Sequence, residues 1–171
     1  MPTDELSDAL LRLLLPRLRR FALRLARDPA SADDLVQSTL ERALTRWPSR
    51  RPQGDVRAWL FTILYRQFLD SQRRSRRYAR LLDWFAGSDA AAPSAEREAI
   101  ARLSLDAFDR LPEAQRTLLW LISVEGLSYK AAADLFDVPL GTVMSRLSRA
   151  RSALRGLNEG PAGEARLRIL K

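Results

Sequence analysis

The sequence predicts an all-α chain of two small helical domains joined by a flexible linker, and three observations predict it. Apolar residues recur at three- and four-residue steps through most of the chain, and no segment keeps the two-residue alternation of a strand. A run of small residues, Gly87-Ser88-Asp89-Ala90-Ala91-Ala92-Pro93-Ser94, breaks that pattern near the middle. Charge is uneven: residues 1–84 hold 17 Lys+Arg against 10 Asp+Glu, residues 85–171 hold 12 against 11, and the formal charge of +8 therefore sits almost wholly in the first part. A length of 171 residues suits one domain or two; the linker and the charge step decide for two. The boundaries read as a first domain over 1–84, a linker over 85–100, a second domain over 101–156 and a flexible tail over 157–171.

The first helix spans about Glu5 to Arg27, with Leu10, Leu11, Leu14, Leu15, Leu18, Phe21, Ala22 and Leu25 in one apolar stripe. Pro16 either kinks this helix or parts a short leading helix from a second one. Asp28-Pro29 ends the segment. Ser31 then reads as the cap of the next helix, with Asp33 and Asp34 in the first turn, where the helix dipole favours anions. That helix buries Leu35, Val36, Leu40, Ala43 and Leu44 and stops at Trp47-Pro48. Ser49 to Asp55 reads as a loop with positive charge. From Val56 a third helix carries Trp59, Leu60, Ile63, Leu64, Phe68 and Leu69 and runs out into Gln72-Arg73-Arg74-Ser75-Arg76-Arg77. After the linker come helices over Ile100–Arg110, Pro112–Val124, Ser128–Phe136 and Thr142 to about Gly156.

Composition excludes several functions. The chain has no Cys and no His, which removes disulfides, thiolate nucleophiles, imidazole bases and zinc sites built on sulfur or nitrogen. It has no Gly-rich phosphate loop, and its acids are scattered over helix surfaces and caps, so no enzyme, cofactor or metal ion is expected. The first residues lack a basic stretch followed by an apolar one, and no apolar run approaches the ~20 residues of a membrane span. The expected location is the cytoplasm, without membrane insertion. Of the 29 cations 27 are arginine, whose planar fork suits phosphate and guanine, although GC-rich coding would produce the same bias.

Residues 128–155 are the most informative. Ser128 can cap a short helix carrying Ala131, Ala132 and Ala133, small enough for another helix to cross closely. Phe136-Asp137-Val138-Pro139 then makes a tight turn into a second helix, which is helix-turn-helix spacing. At ~100° per residue, Val143, Leu147, Ala150 and Leu154 fall on one side and Thr142, Ser145, Arg146, Arg149 and Ser152 around the other. No acid lies between Asp137 and Glu159, so the helix can face DNA with its arginines uncompensated. The same charges would suit the solvated face of an ordinary helical hairpin.

Leu111-Pro112-x-x-Gln115-Arg116, Glu125-Gly126-Leu127-Ser128-Tyr129 and Val138-Pro139-x-Gly141-Thr142-Val143-x-Ser145-Arg146-Leu147-x-Arg149-Ala150-Arg151 closely resemble the carboxy-terminal domain of bacterial extracytoplasmic-function (ECF) sigma factors, group IV of the sigma-70 family. Ala32 to Thr39, reading ADDLVQST, resembles the core-polymerase-binding helix of that family, and Arg57-Ala58-Trp59-Leu60-Phe61 with Asp70 and Arg73-Arg74 resembles its promoter-melting segment. Trp59 to Leu64 resembles the general-stress branch found in alphaproteobacteria. The resemblance covers residues 8–156 in the family's order. It implies a sigma-2 helical bundle and a sigma-4 helix-turn-helix domain that together direct core RNA polymerase to two-part, stress-type promoters.

On that resemblance Asp34, Leu35, Gln37 and Thr39 bind core RNA polymerase at the clamp helices of its largest subunit. Arg50, Arg51, Gln53, Asp55, Arg57, Arg66, Gln67, Arg73 and Arg74 serve the minus-ten promoter DNA, the 50–55 loop capturing an unstacked base. Thr142, Ser145, Arg146, Arg149 and Arg151 serve the minus-thirty-five element. Arg66 stands where family members often have asparagine, Met144 replaces a common lysine, and Asp137 replaces a common turn glycine, a position Asp tolerates in left-handed geometry. An anti-sigma factor is implied as a further partner. Two other readings compete: a helix-turn-helix regulator that does not bind polymerase, and a sigma mimic that titrates an anti-sigma factor. The first leaves the 34–39 match unexplained; the second would be expected to lose Arg146, Arg149 and Arg151.

Overall fold

The computed structural model describes residues 8–50, 54–86, 108 and 110–158, with helix membership alone for 81–86 and 156–158. These residues form two compact units on either side of the 89/90 boundary and contain no strand. The linker stretch 87–94, most of the helix expected over 100–110 and the tail beyond 158 lie outside the described residues.

In the first unit α1 (Asp8–Ala26), α2 (Pro29–Arg46) and α3 (Val56–Ala86) pack against one another, with a single 3-10 turn, Trp47–Ser49, after α2. The core is the meeting of their apolar stripes: Leu18, Phe21 and Ala22 of α1, Ala32 and Ala43 of α2, and Leu60, Phe61 and Leu64 of α3 are all buried. Phe21 and Phe61 meet edge to face at 5.2 Å, an arrangement the ring quadrupoles favour. Pro16 lies inside an undivided α1. It sits on the exposed side, where water can take the carbonyl that loses its donor. Arg27 closes α1 in a left-handed conformation (φ 59°), its N–H donating to the Leu23 carbonyl at 2.9 Å.

Asp28, not Ser31, caps α2. Pro29 takes the first helical position, which needs no N–H, and so puts Asp28 at the cap, where its carboxylate accepts the Ser31 N–H at 2.8 Å. Leu44, expected in the core, is 58% exposed. α3 reaches Ala86, so residues 85 and 86 extend the first unit's last helix rather than begin the linker.

The second unit packs α4 (Glu113–Ser123), α5 (Tyr129–Phe136) and α6 (Leu140–Asn158) around Leu111, Leu118, Leu119, Ala132, Ala133, Val143, Leu147 and Ala150. Two alanines of α5 in that cluster let α6 approach. Gly126, at φ 66°, turns the chain between α4 and α5 through a region that side chains disfavour. Among the described residues no helix is long and apolar enough to cross a membrane.

Candidate nucleic-acid and polymerase interfaces

The helix-turn-helix geometry follows from three local devices. Ser128 opens α5, its Oγ accepting the Ala131 N–H at 3.1 Å. Asp137 ends α5 in a left-handed conformation, φ 54° and ψ 52°, with its N–H turned back to the Ala133 carbonyl. The Pro139 carbonyl then accepts the Thr142 N–H at 2.9 Å and the Val143 N–H at 3.3 Å, so α6 begins at Leu140, two residues before the sequence expectation. The turn is short because Asp137 reverses the chain within one residue.

α6 divides as its periodicity requires. Val143, Leu147 and Ala150 are buried, while Ser145, Arg149 and Arg151 are exposed and Thr142 and Arg146 are half-buried. The Ser145 hydroxyl donates to the Thr142 carbonyl at 3.0 Å, which leaves its lone pairs outward. The exposed polar face of α6 matches what a major-groove helix needs: long cationic forks for guanine edges or phosphates and short hydroxyls between them. Leu140 and Met144 are 43% and 48% exposed on this helix. The sequence marked Met144 only as a departure from a pattern and left Leu140 outside the helix.

In the first unit the predicted polymerase set splits. Asp34 and Gln37 are exposed, Gln37 donating to Glu41 at 3.1 Å one turn on. Leu35 is buried, and Thr39 is wholly so, its hydroxyl donating to the Leu35 carbonyl at 2.7 Å. Thr39 holds α2 against the core with no exposed surface, while Leu35 keeps an edge at the surface; both lie on the inward side of α2, which the local motif match does not distinguish from the outer face. Beside Asp34, Arg19 grips Asp33 with both ends of its fork, Nε to Oδ1 at 2.7 Å and Nη2 to Oδ2 at 3.2 Å. That hydrogen bonding draws the Asp33 carboxyl below the usual carboxylate range and pushes Arg19 up.

The predicted minus-ten set splits as well. Arg66, Arg73 and Arg74 are exposed on α3; Arg73 lies 3.8 Å from Asp70, and Arg74 donates to the Asp70 carbonyl at 3.4 Å. Gln67 faces inward to α2. Its amide N–H donates to the Ser38 carbonyl at 3.0 Å, and its amide oxygen accepts from the Ser38 hydroxyl at 2.6 Å. Both ends of the side chain thus join α2 to α3. Asp55 is the cap of α3, its Oδ1 accepting the Arg57 N–H at 2.9 Å and the Ala58 N–H at 3.3 Å. Arg57 is half-buried with its fork 3.5 Å from Asp55. Arg50 lies over the Trp47 ring at 4.5 Å. Arg51 and Gln53 lie outside the described residues. One groove brings parts of both sets together: Asp34, Leu35, Ser38, Gln67 and Arg74 all line it. Ser38 had no signal of its own in the sequence, since its partner is 29 residues away.

Two family models match the chain, the Sigma2 domain of PhyR over residues 11–65 and Sigma-70, region 4, over residues 97–154. The ECF RNA polymerase sigma factor EcfG of Rhodopseudomonas palustris is 40% identical over 159 residues, which span 91% of this chain and 86% of that protein. The chain belongs to the ECF sigma factors. The ECF sigma factor SigL of Mycobacterium tuberculosis is 36% identical over 146 residues, 81% of this chain and 80% of that one. Among solved structures, the sigma factor RpoE of Bartonella quintana, crystallised with the anti-sigma factor NepR, superposes with a TM-score of 0.70 at 35% identity over 90% of this chain and 97% of its own. As an ECF sigma factor the chain is a transcription initiation factor, and the family match runs through both units: the Sigma2 model covers α1, α2 and the first part of α3, and the region 4 model covers the helix-turn-helix.

Proposed function

We propose that this sigma factor docks on core RNA polymerase through the exposed Asp34 and Gln37 side of α2, meets the minus-ten element with the arginine face of α3, and reads the minus-thirty-five element with α6. The division of labour is between two domains, a sigma-2 domain whose last helix runs to Ala86 and a sigma-4 domain over 101–156, with the linker and tail on either side of the second. The observation that carries the reading is the full α6 face. Ser145 and Arg149 are exposed on the side of the helix opposite the buried Val143, Leu147 and Ala150, as duplex recognition requires and as a mimic of a sigma factor would not need; Arg151 is exposed further round the helix, beside Met144 and Ser148. Thr142 and Arg146, half-buried beside them, reach phosphate and base edge from the helix start.

In this reading the chain works in the cytoplasm as an initiation factor without catalytic residues, a cofactor or a metal ion. The likeness to RpoE, which was crystallised with the anti-sigma factor NepR, supports control by an anti-sigma factor.

The test is to mix the purified chain with bacterial core RNA polymerase, check co-elution, and transcribe a pool of random promoters whose transcripts are sequenced. Initiation from a shared two-part motif is the expected result. Core binding without initiation would favour the mimic, and duplex binding without core binding would favour a plain helix-turn-helix regulator.

A further inference from the structure

α6 carries two large apolar side chains, Leu140 and Met144 one turn on, on its open surface. Neither belongs to the buried cluster of Val143, Leu147 and Ala150 through which α6 packs on α4 and α5. At ~100° per residue, Met144 stands a quarter turn from that buried side, toward the outer face that holds Ser145 and Arg149. Ser148 and Arg151, one and two turns further on, continue the same strip, and with Met144, Tyr129 and Leu147 they line a shallow cleft. Gly141, three residues before Met144, leaves the surface beside it open: a Cβ added there would have no packing partner within 4 Å.

The hydroxyls and guanidinium groups of this face can hold DNA by hydrogen bonds; a thioether end cannot. The major groove offers an apolar side chain one group in particular, the 5-methyl of thymine. Two apolar side chains edged by serine and arginine are too small a patch for a protein interface, but one of them suffices to cover a methyl group. Methionine suits the task because its unbranched, polarisable chain adapts to the surface it meets.

We propose that Met144 is a specificity-determining residue of the minus-thirty-five contact, packing its Sδ–Cε end against the 5-methyl group of one thymine. This rests on the reading of α6 as the minus-thirty-five helix. Met144 lies in the first turns of α6, the part of a recognition helix whose side chains reach base edges, and the open surface at Gly141 lets a base pair come close to it. The exposed arginines, Arg149 and Arg151, supply attraction through phosphate or guanine. Met144 adds discrimination without charge.

The experiment uses the full chain with core polymerase on promoters randomised in the minus-thirty-five element, and compares wild type with Met144→Ala, Met144→Leu and Met144→Lys. Each thymine of the element that wild type selects is then replaced singly by deoxyuridine, which lacks only the methyl. At one thymine the replacement should weaken wild-type binding by about fourfold, the worth of one buried methyl, and should leave Met144→Ala unchanged. Met144→Leu should keep the methyl dependence. Met144→Lys should lose it, its ammonium turning to guanine or phosphate. If no single uracil weakens wild type, or if uracil weakens Met144→Ala as much, the proposal is overturned. A loss in Met144→Ala shared equally by all minus-thirty-five sequences would overturn it as well, since a side chain that merely supports α6 would act so.

Repeating the selection with the full chain alone on random duplex DNA separates this role from the sigma reading. Methyl dependence carried by Met144 in a chain that does not bind polymerase would sustain the proposal and leave the sigma reading as the part that failed. Polymerase-dependent initiation with no such dependence would overturn the role of Met144 alone.

Discussion

The two helices assigned to DNA are built differently. Over its described side chains α6 is amphipathic: Val143, Leu147 and Ala150 are core, and the rest of its surface is mainly arginine, serine and threonine, with Leu140 and Met144 exposed among them. α3 is divided along its length. Its first half is buried on several faces, through Leu60, Phe61, Leu64 and Phe68, and only its later part, Arg73 to Arg80, is wholly exposed. Polar residues in the first half, Asp55, Arg57 and Gln67, are occupied by caps and neighbours. Each of these helices packs against two neighbours, but α6 meets both along one stripe and keeps a polar side over, whereas the first half of α3 is buried on several faces and its polar residues join the neighbours.

The largest expected effect tests the packed half of α3. Phe61→Ala removes a ring that is 0% exposed and stacked edge-on against Phe21, and should destabilise the first unit by about 3–5 kcal/mol in a denaturant titration. Leu147→Ala, the matching change in α6, should cost about 2–5 kcal/mol and be confined to the second unit. Equal loss of both transitions from either change would show that the units do not unfold separately. Asp34→Arg should abolish co-elution with core polymerase while leaving helix content intact, because Asp34 faces solvent; normal co-elution would remove α2 from the interface.

Arg149→Ala and Gln67→Ala sharpen the comparison. The first should weaken specific promoter binding by about 1–3 kcal/mol without lowering stability. If all sequences lose equally, Arg149 holds phosphate only. The second should cost about 1 kcal/mol of stability for two lost side-chain hydrogen bonds, visible in unfolding, and affect promoter choice little. A reversed pattern would make Gln67 a DNA contact.

The same contrast explains what was legible in the sequence. Helix periodicity, the Ser128 cap and the left-handed turn at Asp137 are local, set by a few neighbouring residues, and the structure shows all three. The α6 face was legible because its periodicity has one stripe. The surroundings of Gln67 and Arg50 were not, since each depends on a partner placed by tertiary packing: Ser38 from α2, and Trp47, which Trp59 meets edge to face. Thr39 matched a polymerase-binding motif yet is buried, because a linear motif does not separate the residues that face a partner from those that carry the helix. Asp28 displaced Ser31 as the cap for a local reason, the proline at the first helical position.

The smallest expected effect is a pH response at the start of α2. Asp28 is held below the usual carboxylate range by the Ser31 backbone N–H, and Asp33 by the hydrogen bond from Arg19. A carboxyl with a depressed folded value is charged in the native state where the unfolded chain has begun to take up protons. Its contribution is therefore complete above the unfolded value of ~3.9 and lost as pH falls through the lower folded one. The melting midpoint of the first unit should drop on acidification below about pH 4, with little change between pH 5 and 8. Replacing both by Asn keeps hydrogen-bonding groups at the cap and beside Arg19 but removes the titration, so that variant should start lower and lose less between pH 4 and 2. The second unit is the internal control: Glu113 stands in the first turn of α4, but no carboxylate caps α5 or α6, Ser128 opening α5 with a hydroxyl and Pro139 leading α6 with a carbonyl. An equal slope in both units would place the acid sensitivity in general charge repulsion and remove the α2 start as its source.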